Sequence, residues 1–325
     1  MKAGWYEKNG SAREVLVVGE MGTPAPGAGE VLVRLAVSGV NPSDVKSRAG
    51  RPLIAPRIVP HSDGAGVVEA VGEGVDRSRI GERVWIWNGQ WKRPFGTAAE
   101  YIALPQEQAV RLPDNVAFDA GACLGIPALT ALQAVAHQGD VSGKTLLVTG
   151  GAASVGHYIC QIAARRGARV IATASPRRSA HARAAGASEI IDYRGDNVAE
   201  RARELTGGKG VDGIIDMDLS STAALLPQGV LAPHGKIVCY GSNVPADIPV
   251  SFAAMLWGSL TLQLFLVYEL TPAQRQAALA ELTRLLEQDA LVHAVGASFP
   301  LDDIAAAHEA VEKGDIIGNV VLDLS

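Results

Sequence analysis

Residues 150–156 read Gly-Gly-Ala-Ala-Ser-Val-Gly and follow the apolar run Leu146-Leu147-Val148. A glycine-bearing turn between a strand and a helix gathers backbone N–H groups at one point. It adds the positive end of the helix dipole, so the chemistry it offers is the binding of phosphate or pyrophosphate. Gly151 is the expected tight turn and Gly156 the expected point of close helix–strand packing; Ala152, Ala153, Ser154 and Val155 complete the cradle. Ala153 stands where a Gly-x-Gly-x-x-Gly pattern has its middle glycine, and its methyl group narrows the approach of an anion without closing it. Beyond the next apolar run, ARVIATA, come Ser175, Pro176, Arg177 and Arg178. An acidic residue there would accept from a ribose 2′-hydroxyl and repel a 2′-phosphate. A hydroxyl with two forked guanidinium groups has the opposite preference. The turn and the basic strand end together point to NADP(H). The plain alternative is a glycine turn of any α/β protein followed by two solvated arginines.

Such a turn needs a parallel sheet to hold it. From about residue 120, short apolar runs alternate with helical patterns: KTLLVTG, ARVIATA, SEIIDY, VDGIIDM, GKIVCYG and LTLQLFL. Runs rich in Val, Ile and Leu, apolar throughout, suit strands covered on both faces. The first third differs. EVLVRLAVSGV, GAGVVEAVGEGV, GERVWIW and TAAEYIAL are β-patterned and punctuated by glycine, with no long amphipathic helix. After residue 270 come two helix patterns, TPAQRQAALAELTRLLEQ and PLDDIAAAHEAVEKG, and a last strand, NVVLDL. SFAAMLWGSLTLQLFLVYEL is the most apolar stretch. Gly258, Ser259, Thr261 and Gln263 interrupt it, so it reads as a buried strand with its lead-in rather than a membrane span.

The chain has 325 residues and a formal net charge of −5, with no long basic block, which disfavours nucleic acid as a partner. The start MKAGWYEKNG has no apolar signal region, so a cytoplasmic protein with a small-molecule substrate is expected, with no membrane partner. Cys123, Cys160 and Cys239 lie far apart in apolar surroundings, without metal spacing, and read as buried hydrophobes.

Four stretches in fixed order carry a resemblance: NPSDVKSRAG (41–50), HSDGAGVVEAVGEGV (61–75), GIPALTALQAV (125–135) and the glycine turn. With these the chain resembles the zinc-independent quinone oxidoreductases, the zeta-crystallin branch of the medium-chain dehydrogenase/reductase superfamily, over nearly its whole length. The resemblance implies an α/β fold with a GroES-like β-barrel catalytic domain over 1–122 and a doubly wound Rossmann domain over 123–267. Residues 268–325 would return to the first domain. It implies a homodimer, or a tetramer built from dimers, paired through the sixth Rossmann strand, SLTLQLFL. Zinc-dependent relatives have Cys at the position of Asn41, His at that of Ser62 and a third ligand near Ile126, so no metal is expected. His61, beside one of those positions, reads as a turn or core histidine.

The implied cofactor is NADPH. Thr130 would lie near the nicotinamide and Tyr193 by the 2′-phosphate. Gly241, Ser242 and Asn243 would line the pyrophosphate crevice, and Phe265 and Val267 would offer backbone groups to the carboxamide. Asn319 replaces a lysine often found in relatives before the last strand. Asn41 and Lys46 are the candidate catalytic residues: an amide and an ammonium able to donate to an acceptor oxygen, where Lys46 can also pass a proton. Asp44 and Asp63 are expected to fix loops. In WIWNGQWKRPFG, Trp91 is the aromatic residue expected in a cleft. The implied activity is NADPH-dependent reduction of quinones or related enone acceptors. The alternatives are an alkenal or enone double-bond reductase and a non-enzymatic, NADPH-binding crystallin or RNA-binding relative.

Overall fold

The computed structural model describes residues 1–244 and 246–325. In chain order the elements that matter here are β1 (Glu30–Val40), α1 (Pro42–Gly50), β2 (Asp63–Val71), β3 (Arg83–Ile86), β4 (Tyr101–Pro105) and β5 (Ala109–Arg111). They continue with α2 (Leu129–Gln138), β6 (Thr145–Val148), α3 (Ser154–Arg165), β7 (Arg169–Thr173), β8 (Glu189–Ile191), β9 (Val211–Asp216), β10 (Leu231–Cys239) and β11 (Thr261–Leu264). Last come α4 (Pro272–Glu287), β12 (Val295–Pro300), α5 (Ile304–Lys313) and β13 (Asn319–Asp323). The chain forms two compact units, one of Met1–Ile126 with Thr283–Ser325 and one of Pro127–Leu282. Among the described residues no helix is long and apolar enough to cross a membrane.

The first unit is built on a mixed sheet in the order β12-β13-β1-β2-β3-β5, with β4 also paired to β1. The alternation of EVLVRLAVSGV explains the central place of β1. Val31, Val33 and Leu35 turn inward with Val68, Val84, Ile86, Ile102 and Leu104, all fully or almost fully buried. A second cluster joins Ala3, Val40 and Val59 to Leu301, Ile304, Val320 and Leu322, which ties the C-terminal segment into this unit. Two elements here are absent from the sequence reading. β12 pairs parallel to β13 although its sequence, VGASFP, contains few strand formers; the pairing partner supplies what local propensity lacks. α1 has Val45 as its lone large apolar residue, so no apolar stripe reveals it. Its signals are Pro42 in the first turn and the Asn41–Asp44 capping box.

The second unit has one parallel sheet in the order β8-β7-β6-β9-β10-β11. Numbered along the chain this is 3-2-1-4-5-6, the doubly wound order, and its switch point lies between β6 and β9. Leu147, Ile171, Ile214 and Ile237 from four neighbouring strands are fully buried in one cluster, as expected of strands covered on both faces. SFAAMLWGSLTLQLFLVYEL departs from the expected buried strand. It forms a helix, Phe252–Trp257, and then β11, which has β10 as its partner and is the outermost strand of the sheet. Phe252, Leu256, Trp257 and Leu264 are exposed, because among the described residues a terminal strand and its lead-in have no neighbour on one side.

Candidate active site

In the second unit a cleft of about 720 Å³ opens at the carboxyl ends of the strands around the switch point. Gly150, Ala152 and Ala153 of the glycine turn line it, as do Ser175, Arg178 and Tyr193. Gly151 lies in the tight turn, which the Ala153 N–H closes onto the Gly150 carbonyl at 2.8 Å. The left-handed residue is its neighbour Gly150, at φ +67°. Thr173 pins the turn there: its Oγ1 accepts from the Gly150 N–H at 2.9 Å and its carbonyl from the Gly151 N–H at 3.0 Å. Gly156 does mark a close approach, since a Cβ on it would lie 2.1 Å from the Gly150 carbonyl oxygen. Ser154, Val155 and Gly156 open α3, where helix geometry gives their N–H groups no intrahelical acceptor. Backbone donors at a helix N-terminus fit a pyrophosphate, and the single methyl of Ala153 lines the cleft without filling it.

Ser175 is buried at the end of β7, while Arg177 is exposed and lies outside the cleft lining; of the two arginines, Arg178 faces the site. Asn243 also lines the cleft, held by Asp218, which accepts from its backbone N–H and its side-chain amide at 2.9 Å each. Gly241 and Ser242 lie in the same loop, half-buried. Thr130 is buried on α2 and Val267 is buried just beyond β11, where its carbonyl accepts from Arg275 at 2.5 Å. Phe265, half-buried, has its ring 5.1 Å from that of His137.

The sequence reading missed Thr149, Met217, Asp218 and Thr222 among the cleft residues. Thr149 Oγ1 donates to the buried Asp216 at 2.8 Å and accepts from the Met217 N–H at 2.9 Å, which joins the ends of β6 and β9. The signal that finds them is the strand order, since a crevice at the switch point takes residues from the ends of both strands.

In the first unit Asn41 caps α1 and is 4% exposed. Its backbone N–H donates to Asp44 at 2.8 Å and its side-chain Nδ2 donates to Asp63 at 3.0 Å. The same Asp63 oxygen accepts from the Ile126 N–H at 2.9 Å. Burial pushes the Asp44 carboxyl up to about 7. Burial, and then the charge of Asp44, hold that of Asp63 well above the ordinary carboxylate range. Lys46 is exposed on α1. Asn319 donates to the Ala294 carbonyl through both its backbone N–H, at 2.7 Å, and its side-chain amide, at 3.0 Å. Trp91 is half-buried, with Lys92 over its ring.

His61 is fully buried at a φ of +77°, a conformation rare for a residue with a side chain. It belongs to a hydrogen-bonded chain. Thr97 donates to the Asp63 carbonyl at 2.6 Å, Ser38 lies 2.8 Å from Thr97, His61 Nδ1 2.9 Å from Ser38, and His308 Nε2 2.9 Å from His61 Nε2. Thr97 has one hydroxyl proton and gives it to a carbonyl, so Ser38 must donate to Thr97 and His61 Nδ1 to Ser38. With His61 neutral, His308 Nε2 is then the donor between the rings. Burial keeps both imidazoles neutral; it lowers His61 well below its ordinary value and His308 to about 3, aided by His61–His308 proximity in the first case and by Arg48 in the second.

The sequence matches the zinc-binding dehydrogenase family over residues 185–322 and the alcohol dehydrogenase GroES-like domain family over residues 27–114. It is 31% identical to a quinone oxidoreductase of Sus scrofa, over 94% of this chain and 92% of that protein. The chain belongs to the zinc-independent quinone oxidoreductase branch of the medium-chain dehydrogenase/reductase superfamily. It is also 32% identical to a 2-haloacrylate reductase of a Burkholderia species, over 93% of each chain. A mycobacterial protein solved in complex with NADPH shares its fold at a TM-score of 0.87 and 30% identity, over 100% of both chains. As a quinone oxidoreductase relative the chain is an NAD(P)H-dependent oxidoreductase. The Asn41, Ser62 and Ile126 side chains are no donor set for zinc. Among the described residues no group of three or more His, Cys, Asp or Glu side chains is arranged to hold a metal ion.

Proposed function

We propose that this quinone oxidoreductase relative reduces quinones and related conjugated carbonyl acceptors with NADPH, without a metal. One observation carries the reading: a single cleft is lined both by the glycine turn and by Ser175, Arg178 and Tyr193. The turn suits a pyrophosphate. A hydroxyl, a guanidinium and a phenol suit a phosphate on an adenosine ribose. Thr130, Gly241, Ser242, Asn243, Phe265 and Val267 are the further cofactor contacts of the proposal, and Arg177 contributes charge from outside the cleft.

NADPH supplies the hydride when bound; position and electrostatics are the protein's share. On the acceptor side Asn41 offers an amide N–H and Lys46 an ammonium to the oxygen that becomes phenolate or enolate. Donors aimed at charge that grows in the transition state lower the barrier more than they tighten ground-state binding. A second acceptor class, a C=C bond conjugated to a carbonyl, is favoured by Lys46 together with the 2-haloacrylate reductase among the relatives. For such a substrate Lys46 also supplies the proton that the enolate carbon takes up. The acidic balance of the chain speaks against an RNA-binding role.

The test combines two measurements. Titration of the protein with NADPH and NADH should show a clear preference for NADPH, and Arg177→Ala/Arg178→Ala should weaken NADPH while barely touching NADH. NADPH-oxidation kinetics with one quinone and one enone should show Lys46→Met lowering kcat on the order of 10²-fold. The loss should be larger for the enone. Equal affinity for the two cofactors, or wild-type rates in Lys46→Met and Asn41→Ala with both acceptors, would remove the proposal.

A further inference from the structure

Asn41 ends in a carboxamide, whose two ends have almost the same shape and opposite chemistry. One end donates two hydrogen bonds and the other accepts. Rotation by half a turn would present a carbonyl, which repels the developing anion that the N–H would stabilise. The orientation of this group therefore decides whether Asn41 helps or hinders an acceptor oxygen. Backbone packing does not fix it; hydrogen-bond partners do.

Asp63 fixes it here. One Nδ2 hydrogen goes to Asp63 at 3.0 Å, while the Asp44 N–H donates to the Asn41 backbone carbonyl at 3.0 Å. The second Nδ2 hydrogen is then the group left to give. Asp63 is fully buried at the start of β2 and is itself held by the Ile126 N–H on the same oxygen at 2.9 Å, while its other oxygen has no hydrogen-bond partner. A carboxyl oxygen that already takes two N–H groups cannot favour the flipped amide, whose carbonyl would face it lone pair to lone pair.

We infer that Asp63 is a positioning residue for reduction: it makes Asn41 present an N–H, and not a carbonyl, to the acceptor oxygen. The inference rests on the proposed acceptor role of Asn41. Asp63 itself touches neither substrate nor cofactor and acts through Asn41. The acceptor oxygen atom of its side chain is what the role requires, so an amide in its place serves as well.

Steady-state kinetics of Asp63→Leu, Asp63→Asn, Asn41→Ala and the double variant Asn41→Ala/Asp63→Leu, with one quinone and one enone, test this. Asp63→Leu is expected to lower kcat on the order of 10²-fold, as does loss of an oxyanion donor. Its NADPH dissociation constant, measured by fluorescence, should stay at the wild-type value. Asp63→Asn should restore most of the rate. In the Asn41→Ala background Asp63→Leu should cost nothing further, since residues that act through one group are not additive. A wild-type rate in Asp63→Leu beside a slow Asn41→Ala overturns the inference and leaves the role of Asn41 standing. A wild-type rate in Asn41→Ala removes the reading beneath it. Should Asp63→Leu fail to fold, a slow Asp63→Asn with native melting temperature and native cofactor affinity overturns the inference in its place.

Discussion

Replacing Asp44 by Asn should abolish a pH dependence of stability that the wild-type chain carries. Asp44 is 4% exposed, and burial pushes its carboxyl from 3.8 up to about 7 even though the Asn41 backbone N–H pulls the other way. Between those two values the folded chain keeps the proton and the unfolded chain has lost it. Stability from this group is thus complete below the ordinary carboxylate range, declines as the pH rises toward about 7, and is constant above, where both states are ionised. A shift of about three units corresponds to on the order of 4 kcal/mol between the ends of the window. The asparagine side chain keeps a carbonyl for the Asn41 N–H and carries no charge at any pH. Urea unfolding of both proteins at several values between pH 4.5 and 8.5 should give curves that meet at the acid end. They should separate with rising pH, with Asp44→Asn the more stable at pH 8. Groups remote from Asp44 affect both proteins alike and drop out of the difference, whereas Asp63, which the charge of Asp44 pushes up, is relieved in the variant and adds to it in the same direction. Parallel curves, or a variant less stable than wild type at pH 8, would show that Asp44 is ionised in the folded chain throughout and refute the reasoning.

Gly156→Ala should weaken NADPH binding on the order of 10²-fold, because a methyl 2.1 Å from the Gly150 carbonyl must displace the turn; an unchanged affinity by fluorescence titration contradicts this. Exhaustive chelation should leave reductase activity intact, and activity that falls with the chelator and returns with zinc would count against it. The exposed Leu264 of β11 and Trp257 of the helix before it are expected to be covered by a second copy of the chain. Light scattering should then show an oligomer that Leu264→Glu/Trp257→Glu reduces toward monomer, and a wild-type monomer at micromolar concentration defeats the expectation.

What is legible in the sequence is local or periodic. The six apolar runs between residues 144 and 266 announce the parallel sheet, since its inner strands are covered on both faces and need no polar alternation; the sixth, β11, is as apolar in sequence but lies exposed at the edge. Ser175 and Arg178 are legible because they end a strand next to the turn in the sheet. Gly151 does lie in the tight turn, but the left-handed conformation falls on its neighbour Gly150, which two adjacent glycines in a sequence do not reveal. β12 is invisible without β13, its pairing partner. The hold of Asp63 on both Asn41 and Ile126 joins positions 22 and 63 residues apart, a separation over which no pattern runs. Asp218 escaped for a like reason, since the loop it holds lies 25 residues further on.

The chain of hydrogen bonds from His308 through His61, Ser38 and Thr97 has a direction, and direction has an observable side. Each of its protons has one assigned place, and none of the four side chains reaches solvent. The ring protons on His308 Nε2 and His61 Nδ1 can therefore exchange with water only when this part of the protein opens. They amount to a pair of built-in clocks: after transfer to heavy water, the lifetime of their resonances reads the opening rate of the buried layer beside Asp63. Because the timers sit in the unit that carries Asn41, their slowing by an acceptor analogue, in samples already saturated with NADPH, would register substrate binding without any turnover.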